Sequence, residues 1–344
     1  MAILITHPPS NEKYIDKEIF DMKKLICVLV TVLMIASLFA GCGGKTDDGV
    51  YKIAIVQQLD HASLNEIRTA IEARLDEIAA EKGIKIEYKD FNGQNDATVL
   101  NQIGAQVVSD GYDAIIPIAT TAAQCMVTAA EGKNIPIIYS AISDPVEAGL
   151  TGLSKVTGVS DALNTAFILD MMLAVNPDIR TVGLLYSNSE PNSTTPIREA
   201  KAYLDSKNIA YIEKTGNTAD EVIAAASALV GRCDAVFTPT DNAIMAVAAN
   251  VAETLTNAGI PHYTGADSFV TAGAFATCGV NYTELGIYTA DMAVDILLGG
   301  AYPDYHVMDG GIITVNTDTA KALNIDYSAF SDMANTVTEV TTAP

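Results

Sequence analysis

The 344-residue chain contains no tryptophan, only four histidines, and fewer than half as many basic as acidic residues. Lys and Arg total 20 against 42 Asp and Glu, which gives a formal net charge of -22 at pH 7. Such a charge repels the phosphates of nucleic acids and anionic lipid surfaces, and keeps a secreted protein soluble. The charge balance therefore argues against a nucleic-acid partner. The lack of tryptophan weakens a sugar-binding function, because sugars often stack on indole rings.

Short motifs that carry catalysis or nucleotide binding are also missing. The sequence has no G-x-S-x-G, P-loop, H-E-x-x-H or G-x-G-x-x-G pattern. His7, His61, His262 and His306 are scattered singly, so that nothing pairs a nucleophile with a base or gathers metal ligands. We therefore predict a protein that is not an enzyme and that uses no metal and no cofactor.

Cysteine is scarce and its spacing is irregular. Cys27 lies in an apolar segment near the N-terminus and Cys42 follows that segment. The other three, Cys125, Cys233 and Cys278, are an odd number without C-x-x-C or metal-ligand spacing. We expect unpaired thiols, and a disulfide between two of them remains the alternative.

A continuous apolar run occurs at Leu25 to Phe39, within "MKKLICVLVTVLMIASLFAGCGGK". Two lysines precede it and Ala-Gly-Cys follows, which is the layout of an export signal, and the run is shorter than the ~20 residues of a spanning helix. The end "LFAGC" resembles a bacterial lipobox, in which Cys42 becomes the lipidated first residue. Cleavage by the general signal peptidase, with Cys42 incidental, is the alternative. Translation is expected to start at Met22 rather than Met1.

Beyond residue 50 the sequence alternates short β-rich runs with longer helical ones. "YKIAIVQQ" predicts a strand and "LNEIRTAIEARLDEIAAEKG" an amphipathic helix that ends at Gly83. Strands separated by helices of this length predict a parallel sheet covered on both faces. The same order then returns, with "YDAIIPIATTA" aligned to "CDAVFTPTDNA". We therefore predict an α/β protein of two doubly wound parallel-sheet lobes joined by a hinge.

The predicted hinge follows from where the chain passes between the lobes, at "VTGVSDALN" and again at "ATCGVNYTELG". The predicted organisation is an upstream extension and lipoprotein signal peptide at 1–41, a tether at 42–50, a first lobe at 51–158 plus 280–302, a second lobe at 159–279 plus 303–328, and a tail at 329–344.

Polar residues follow the apolar strands in both predicted lobes. In open α/β sheets ligands bind beyond the carboxyl ends of the strands, so these residues predict a polar cleft. His61 and Tyr186 are expected to pack on the apolar body of a ligand. The candidate ligand-binding residues are His61, Thr120, Thr121, Ser140, Ser143, Asp144, Ser160, Tyr186, Ser189, Glu190, Asn192, Ser193, Thr240, Asp241 and Asp267.

Two of these positions indicate a zwitterionic ligand. Thr120 and Thr121 begin a helix, whose free backbone N–H groups and positive dipole end favour a carboxylate. Asp241 holds the matching position in the second lobe and would face the ammonium group. Simple N-capping remains the alternative for Thr120 and Asp241, and turn formation for Ser143-Asp144 and Ser160-Asp161.

Six motifs then occur in a characteristic order: "IATTAAQ", "SAISDPVEAGL", "VTGVSD", "LLYSNSEPNS", "TPTDNAI" and "NYTELG". Together they resemble the ABC substrate-binding lipoproteins with the type I periplasmic binding protein fold, over almost all of Tyr51 to Ser328. "QQLDHASLNEIR" and "GADSFV" depart from that pattern.

The resemblance implies an extracytoplasmic, lipid-anchored receptor that is monomeric and delivers a free amino acid, aromatic or large and hydrophobic, to the permease of an ABC importer. A sugar or nucleoside receptor of the same fold is the alternative.

Overall fold

The computed structural model describes residues 49–343, and the predicted signal peptide, Cys42 and nearly all of the predicted tether lie outside them. Within this described range no helix is long and apolar enough to cross a membrane. Cys125, Cys233 and Cys278 are free thiols, of which Cys125 is partly buried and the other two are buried.

The first sheet has six strands whose neighbours are all parallel. In chain order they are β1 Val50–Gln57, β2 Lys85–Asn92, β3 Ala114–Ile118, β4 Ile137–Tyr139, β5 Val156–Ser160 and β11 His306–Val307, and in space β11-β5-β4-β3-β1-β2. The helices of this lobe are α1 Ala62–Lys82, α2 Ala97–Asp110, α3 Thr120–Ala129 and α10 Tyr282–Leu297.

The second sheet has seven strands and is parallel except where β10 meets β12. They are β6 Thr181–Tyr186, β7 Ala210–Thr215, β8 Ala235–Thr238, β9 His262–Thr264, β10 Ala276–Gly279, β12 Ile312–Asn316 and β13 Val337–Val340, in the order β13-β12-β10-β9-β8-β6-β7. The accompanying helices are α4 Thr165–Val175, α5 Thr194–Lys207, α6 Ala219–Ser227, α7 Asn242–Met245, α8 Ala248–Asn257, α9 Asp267–Thr271 and α11 Thr317–Leu323; two 3₁₀ turns span Pro191–Ser193 and Ser328–Asp332.

The inner strand β1 shows why the first sheet is covered on both sides. Ile53 and Ile55 point into one apolar cluster, while Ala54 and Val56 point into another on the opposite face. The helix α1 packs on the first face through buried residues spaced three or four apart. The predicted α/β fold with two doubly wound lobes is thereby confirmed.

Sheet membership differs from the predicted lobe boundaries at two edge strands. β11 pairs with β5 in the first sheet, although residues 303–328 were expected in the second lobe. β13 lies in the expected tail and pairs in parallel with β12. Both strands are short and partly exposed, so their sequences lack the apolar run that marks a buried strand.

Within the described residues, the polypeptide crosses between the sheets three times. The crossings follow β5, β10 and β11, and the last one contains Gly310 and Gly311. Their short connections place the carboxyl ends of the two sheets opposite each other, which is where the cleft lies.

Candidate functional site

A cavity lies between the two lobes at the carboxyl ends of their strands. Its volume is about 30 Å³, which is room for one or two water molecules. It is lined by His61, Ser63, Leu64, Ala119, Thr120, Ala141, Ser143, Asp161, Asn192, Thr240, Asp241, Asn242, Met245, Ala266, Phe269 and Tyr282.

Direct hydrogen bonds join the lobes around this cavity. His61 Nε2 lies 2.9 Å from Asn242 Oδ1 and Ser143 Oγ lies 3.0 Å from Thr240 Oγ1. Ser63 and Ser268 also pair through their hydroxyls. The lobes are therefore closed on each other, and the lining side chains of one lobe contact those of the other.

A second set of contacts joins the lobes at the surface. Thr195 Oγ1 donates to Asp144 Oδ2 at 2.7 Å, and Arg198 lies 3.2 Å from Glu147. Partial burial of the Asp144 carboxyl opposes its ionisation, but the N–H groups of Glu147 and Val146 and the Thr195 hydroxyl outweigh that effect and lower its pKa. Asp144 thus closes a turn and holds the second lobe from outside the cavity.

Asp161 is a buried carboxylate with few partners. It accepts hydrogen bonds from Ser143 Oγ at 3.2 Å and from Tyr282 OH at 3.3 Å, both long for an O–H donor. Burial raises its pKa, and these two hydroxyls only partly offset that effect. Among residues 49–343 no Lys or Arg lines the cavity. A ligand cation would therefore find Asp161 available.

The start of α3 forms another part of the cavity wall, and its groups favour a negative charge rather than a positive one. Thr120 is buried and its Oγ1 has no hydrogen-bond partner within residues 49–343. The preceding residue, Ala119, has φ 77° and ψ 160°, and Ala141 at the end of the neighbouring β4 has φ 57°. Such conformations cost of order 1–3 kcal/mol in non-glycine residues and occur where backbone groups must face a ligand. With the helix dipole, this wall favours an anionic group.

Asp241, the expected partner of an ammonium group, is occupied by its own lobe. Its Oδ2 accepts from Ser187 N and Ser193 Oγ, both at 2.7 Å, and its Oδ1 accepts from Ile244 N at 3.0 Å. Burial raises its pKa despite these bonds. N-capping accounts for the bond from Ile244 N, because Asp241 is the N-cap of α7. The other two bonds tie Asp241 to the loop that follows β6.

Six of the candidate residues line the cavity: His61, Thr120, Ser143, Asn192, Thr240 and Asp241. Three others bond directly to groups around it. Thr121 N donates to Gln58 Oε1, Ser193 holds Asp241, and Glu190 accepts from Gln58 and Asn242.

The remaining candidates lie away from the cavity lining. The Ser140 hydroxyl bonds to Thr289, Ser160 Oγ accepts from Ala162 N, and Ser189 pairs with Ser187. Tyr186 OH donates to Glu213 at 2.7 Å, so the tyrosine faces a neighbouring strand rather than a ligand. Asp267 lines a separate surface crevice beside Glu66. These residues follow strands that end near the cavity, but their side chains point away from it.

Residues that the sequence did not single out supply most of the apolar lining. These are Leu64, Met245, Ala266, Phe269 and Tyr282, which lie within or immediately before helices that follow the strands. A search for polar side chains overlooks such positions, although their place after a strand was a usable signal. Ser63, Ala119, Ala141 and Asn242 complete the unassigned lining. Asp161 also lines the cavity, and the sequence had offered it only together with Ser160, with a turn as the alternative.

The fold and the interlobe cavity define a two-lobed ligand-binding protein of the type I periplasmic binding protein class. A family model described as "ABC transporter substrate binding protein" matches residues 52–337. The chain belongs to this family. The description of the family is that of a substrate-binding protein rather than an enzyme.

Two relatives show the range of similarity. The tyrosine-binding protein of Clostridioides difficile (strain R20291) is 32% identical over 322 residues, which cover 88% of this chain and 93% of the relative. An ABC domain from Streptococcus pneumonia, solved in complex with L-Trp, is 28% identical with a TM-score of 0.78 and covers 83% of this chain and 99% of its own.

A third structure reports on the conformation. The ligand-free, open structure of a Clostridium difficile substrate binding protein with adhesive properties is 33% identical, with 85% and 100% of the two chains covered, but its TM-score is only 0.64. The more similar sequence thus gives the poorer superposition. The lobes of the present structure are arranged more as in the L-Trp complex than as in the open form.

Proposed function

We propose that the protein binds a free amino acid with an aromatic or large hydrophobic side chain in the interlobe cavity and delivers it to an ABC permease. The proposal rests on the presence of both Asp161 and the start of α3 in the lining of one cavity. Within residues 49–343, Asp161 is a buried carboxylate without a Lys or Arg in the cavity lining, and Thr120 offers an unpartnered hydroxyl at a helix N-terminus. These groups suit the ammonium and the carboxylate of one zwitterion.

Asn192 extends the polar part of the site. Its Nδ2 donates to the carbonyl of Thr240, which leaves Oδ1 as an acceptor without a partner within residues 49–343. A ligand ammonium group has three N–H donors and fits such an acceptor together with Asp161. The α-amino group is thus expected to contact both lobes or the hinge between them.

The apolar lining supports a large hydrophobic side chain. Leu64, Met245 and Phe269 line the same cavity as His61 and Ser63. Contact with them would remove the ligand side chain from water, at roughly 25 cal/mol per Å² of apolar area. A free amino acid with a small polar side chain would leave this part of the cavity unfilled.

The names of the relatives support the same ligand class, since one is called tyrosine-binding and another was solved with L-Trp. Sugar-binding neighbours, including one with bound allitol and one with bound D-allose, are only 14% and 16% identical. These neighbours share the fold alone and do not favour a sugar.

Ligand entry requires the lobes to separate. A cavity of about 30 Å³ is too small for any amino acid, so the lobes must open and the lining side chains must rearrange. The three crossings between the sheets would serve as the hinge. A ligand that contacts both lobes then favours closure, because it binds the closed form better than the open form.

We also propose that the protein is a monomer at the outer face of the membrane, anchored by a lipid on Cys42. Metabolic labelling with a palmitate analogue tests this anchor: label should be incorporated into the intact chain and not into Cys42→Ser. Incorporation into both would place the lipid elsewhere.

Calorimetric titration of the mature domain with the twenty common amino acids tests the ligand class. We expect saturable binding, on the order of micromolar, to at least one aromatic or large hydrophobic member. A parallel thermal-shift panel with sugars and nucleosides separates the alternative receptor. Flat heats with every amino acid would refute the proposal, and a thermal shift with a sugar or nucleoside alone would assign the alternative. Long incubation should leave the ligand unchanged.

A further inference from the structure

A chain of side-chain hydrogen bonds runs from the first lobe into the second and back. It starts at the backbone N–H of Thr121, which donates to Gln58 Oε1 at 3.2 Å. Because a backbone N–H is only a donor, this bond fixes the orientation of the Gln58 amide. The Gln58 Nε2 then donates to Glu190 Oε1 across the lobe interface at 3.1 Å.

The second half of the chain returns from Glu190 to the cavity. Asn242 Nδ2 donates to Glu190 Oε2 at 2.8 Å, and Asn242 Oδ1 lies 2.9 Å from His61 Nε2. An ionised Glu190 accepts with both oxygens, so Asn242 must turn its carbonyl to His61. His61 then carries its proton on Nε2, which leaves an acceptor lone pair on Nδ1.

The free end of this chain is the His61 ring. Burial lowers the pKa of His61 despite the nearby Asp60, so the ring is neutral at physiological pH. His61 lines the cavity beside its apolar residues, and its Nδ1 has no hydrogen-bond partner within residues 49–343. A buried acceptor without a partner costs about 1–3 kcal/mol, which a donor on the ligand would recover.

We propose that ionised Glu190 and Asn242 are positioning residues that hold His61 Nδ1 as a hydrogen-bond acceptor for the side chain of the bound amino acid. The inference rests on the proposed function and narrows its ligand class. Side chains that combine an apolar body with a terminal donor, a phenol O–H or an indole N–H, are preferred over phenylalanine and leucine. Removal of the donor from the ligand leaves the acceptor unpaired.

The protonation of Glu190 decides which groups donate and which accept in this chain of hydrogen bonds. A proton on Oε2 would donate to Asn242 Oδ1 and turn the amide over, so that Asn242 donates to His61 Nε2 and the ring proton moves to Nδ1. Burial, and secondly the neighbouring Asp241, raise the pKa of Glu190 to about 8. The charged and titratable groups near the chain of hydrogen bonds include Asp241, His61 and Asp60. Glu190 also lines a second pocket with Arg198, Lys201 and Asp205. The preference for donor side chains should therefore grow as the pH rises from 6 to 8.5.

Glu190→Gln mimics the protonated state at nearly unchanged volume. Gln58 is fixed as a donor by Thr121, so the introduced glutamine must offer its carbonyl to Gln58 and its amide nitrogen to Asn242. That arrangement turns Asn242 over and makes His61 Nδ1 a donor. The variant should lose the preference while it keeps the ability to bind.

The experiment is calorimetric titration of the mature domain with L-tyrosine and L-phenylalanine at pH 6, 7 and 8.5. We expect L-phenylalanine to bind on the order of 10-fold more weakly than L-tyrosine at pH 8.5, with a smaller ratio at pH 6. For Glu190→Gln the ratio should approach one and be independent of pH. The ¹⁵N shifts of the His61 ring should report an Nε2–H tautomer in the wild type at pH 8.5 and an Nδ1–H tautomer in the variant.

Thr195→Val is the matched control. It removes the hydrogen bond to Asp144 at the lobe surface and leaves the hydrogen bonds between Gln58, Glu190, Asn242 and His61 in place. It should lower the affinity for both ligands equally and leave their ratio unchanged. Equal affinities of the wild type for both amino acids at every pH, or a ratio that Glu190→Gln does not alter, would overturn the inference while the amino acid receptor stands. Failure of every amino acid to bind would instead remove the proposed function. Should Glu190→Gln not fold, the pH series of the wild type decides alone.

Discussion

Asp161 and Asp241 are two buried aspartates in the lining of one cavity, yet their surroundings differ. Asp241 accepts three hydrogen bonds of 2.7 to 3.0 Å, two of them from backbone N–H groups. Asp161 has two hydroxyl donors, at 3.2 and 3.3 Å. The pKa of both is raised by burial. What distinguishes them is how far their acceptor capacity is already used.

The comparison shows that burial and charge alone do not identify a ligand-binding acid. An aspartate whose oxygens cap a helix stabilises its own lobe, and it gains little from a ligand. An aspartate held by two weak donors is more costly to bury, and an ammonium group compensates that cost. Four substitutions test this distinction.

The largest effect is expected for Asp161→Asn. The change keeps the size of the side chain but removes the charge, so the affinity for the amino acid should fall on the order of 100-fold. The melting temperature of the ligand-free protein should stay equal or rise, because a buried charge is lost. Calorimetric titration and scanning calorimetry give both quantities. Unchanged affinity would show that the ammonium group binds elsewhere.

Asp241→Ala should act in the opposite sense. It removes the cap of α7 and leaves the backbone N–H of Ser187 unpaired, so the free energy of unfolding should fall by about 2 kcal/mol. Urea denaturation of the ligand-free protein measures this loss. If stability is unchanged and the affinity falls sharply, Asp241 and not Asp161 is the partner of the ammonium group.

Glu190 adds a third buried acid, and its effect appears in the pH dependence of stability. Burial raises the pKa of Glu190 in the folded protein from its ordinary value of 4.5 to about 8. A raised carboxyl pKa gives stability that is complete below the unfolded pKa and is lost as the pH rises towards the folded pKa. The free energy of unfolding should therefore decline between pH 5 and pH 8, and the decline should be shallower in Glu190→Gln. Urea denaturation at each pH measures this quantity. An equal decline in the wild type and in Glu190→Gln would contradict the prediction.

The smallest effect is expected at the exposed lobe contact. The side chains of Arg198 and Glu147 are 57% and 44% exposed, and solvent screening makes such pairs nearly neutral in energy. Arg198→Gln should change ligand affinity by less than about 2-fold. A loss comparable to that of Asp161→Asn would mean that closure depends on the surface contacts more than on the cavity.

The sequence predicted the fold well because its signals were local. An apolar run such as "AIIPI" in β3 indicates a buried strand, and a glycine such as Gly83 indicates the end of a helix. β11 and β13 escaped prediction, because a two-residue or half-exposed edge strand takes its pairing from its neighbours and not from its own residues.

The site was predicted less completely. The end of a strand tells which residues reach the cleft region, but not which way each side chain turns, and this separates Ser143 from Ser140 and Tyr186. Nor does the sequence show whether a carboxylate is already paired, which separates Asp161 from Asp241. Both properties depend on contacts between distant segments.

Ala119 and Ala141, with their positive φ angles, also bear on how ligand choice can change within such a protein. A wall that presents main-chain groups through a constrained conformation tolerates few replacements, since bulkier or branched side chains are disfavoured there. Met245 and Phe269 in the opposite lobe occupy ordinary helical positions and are open to exchange. Redesign of the apolar contacts towards another amino acid should therefore succeed through Met245 and Phe269 and leave Ala119 and Ala141 untouched.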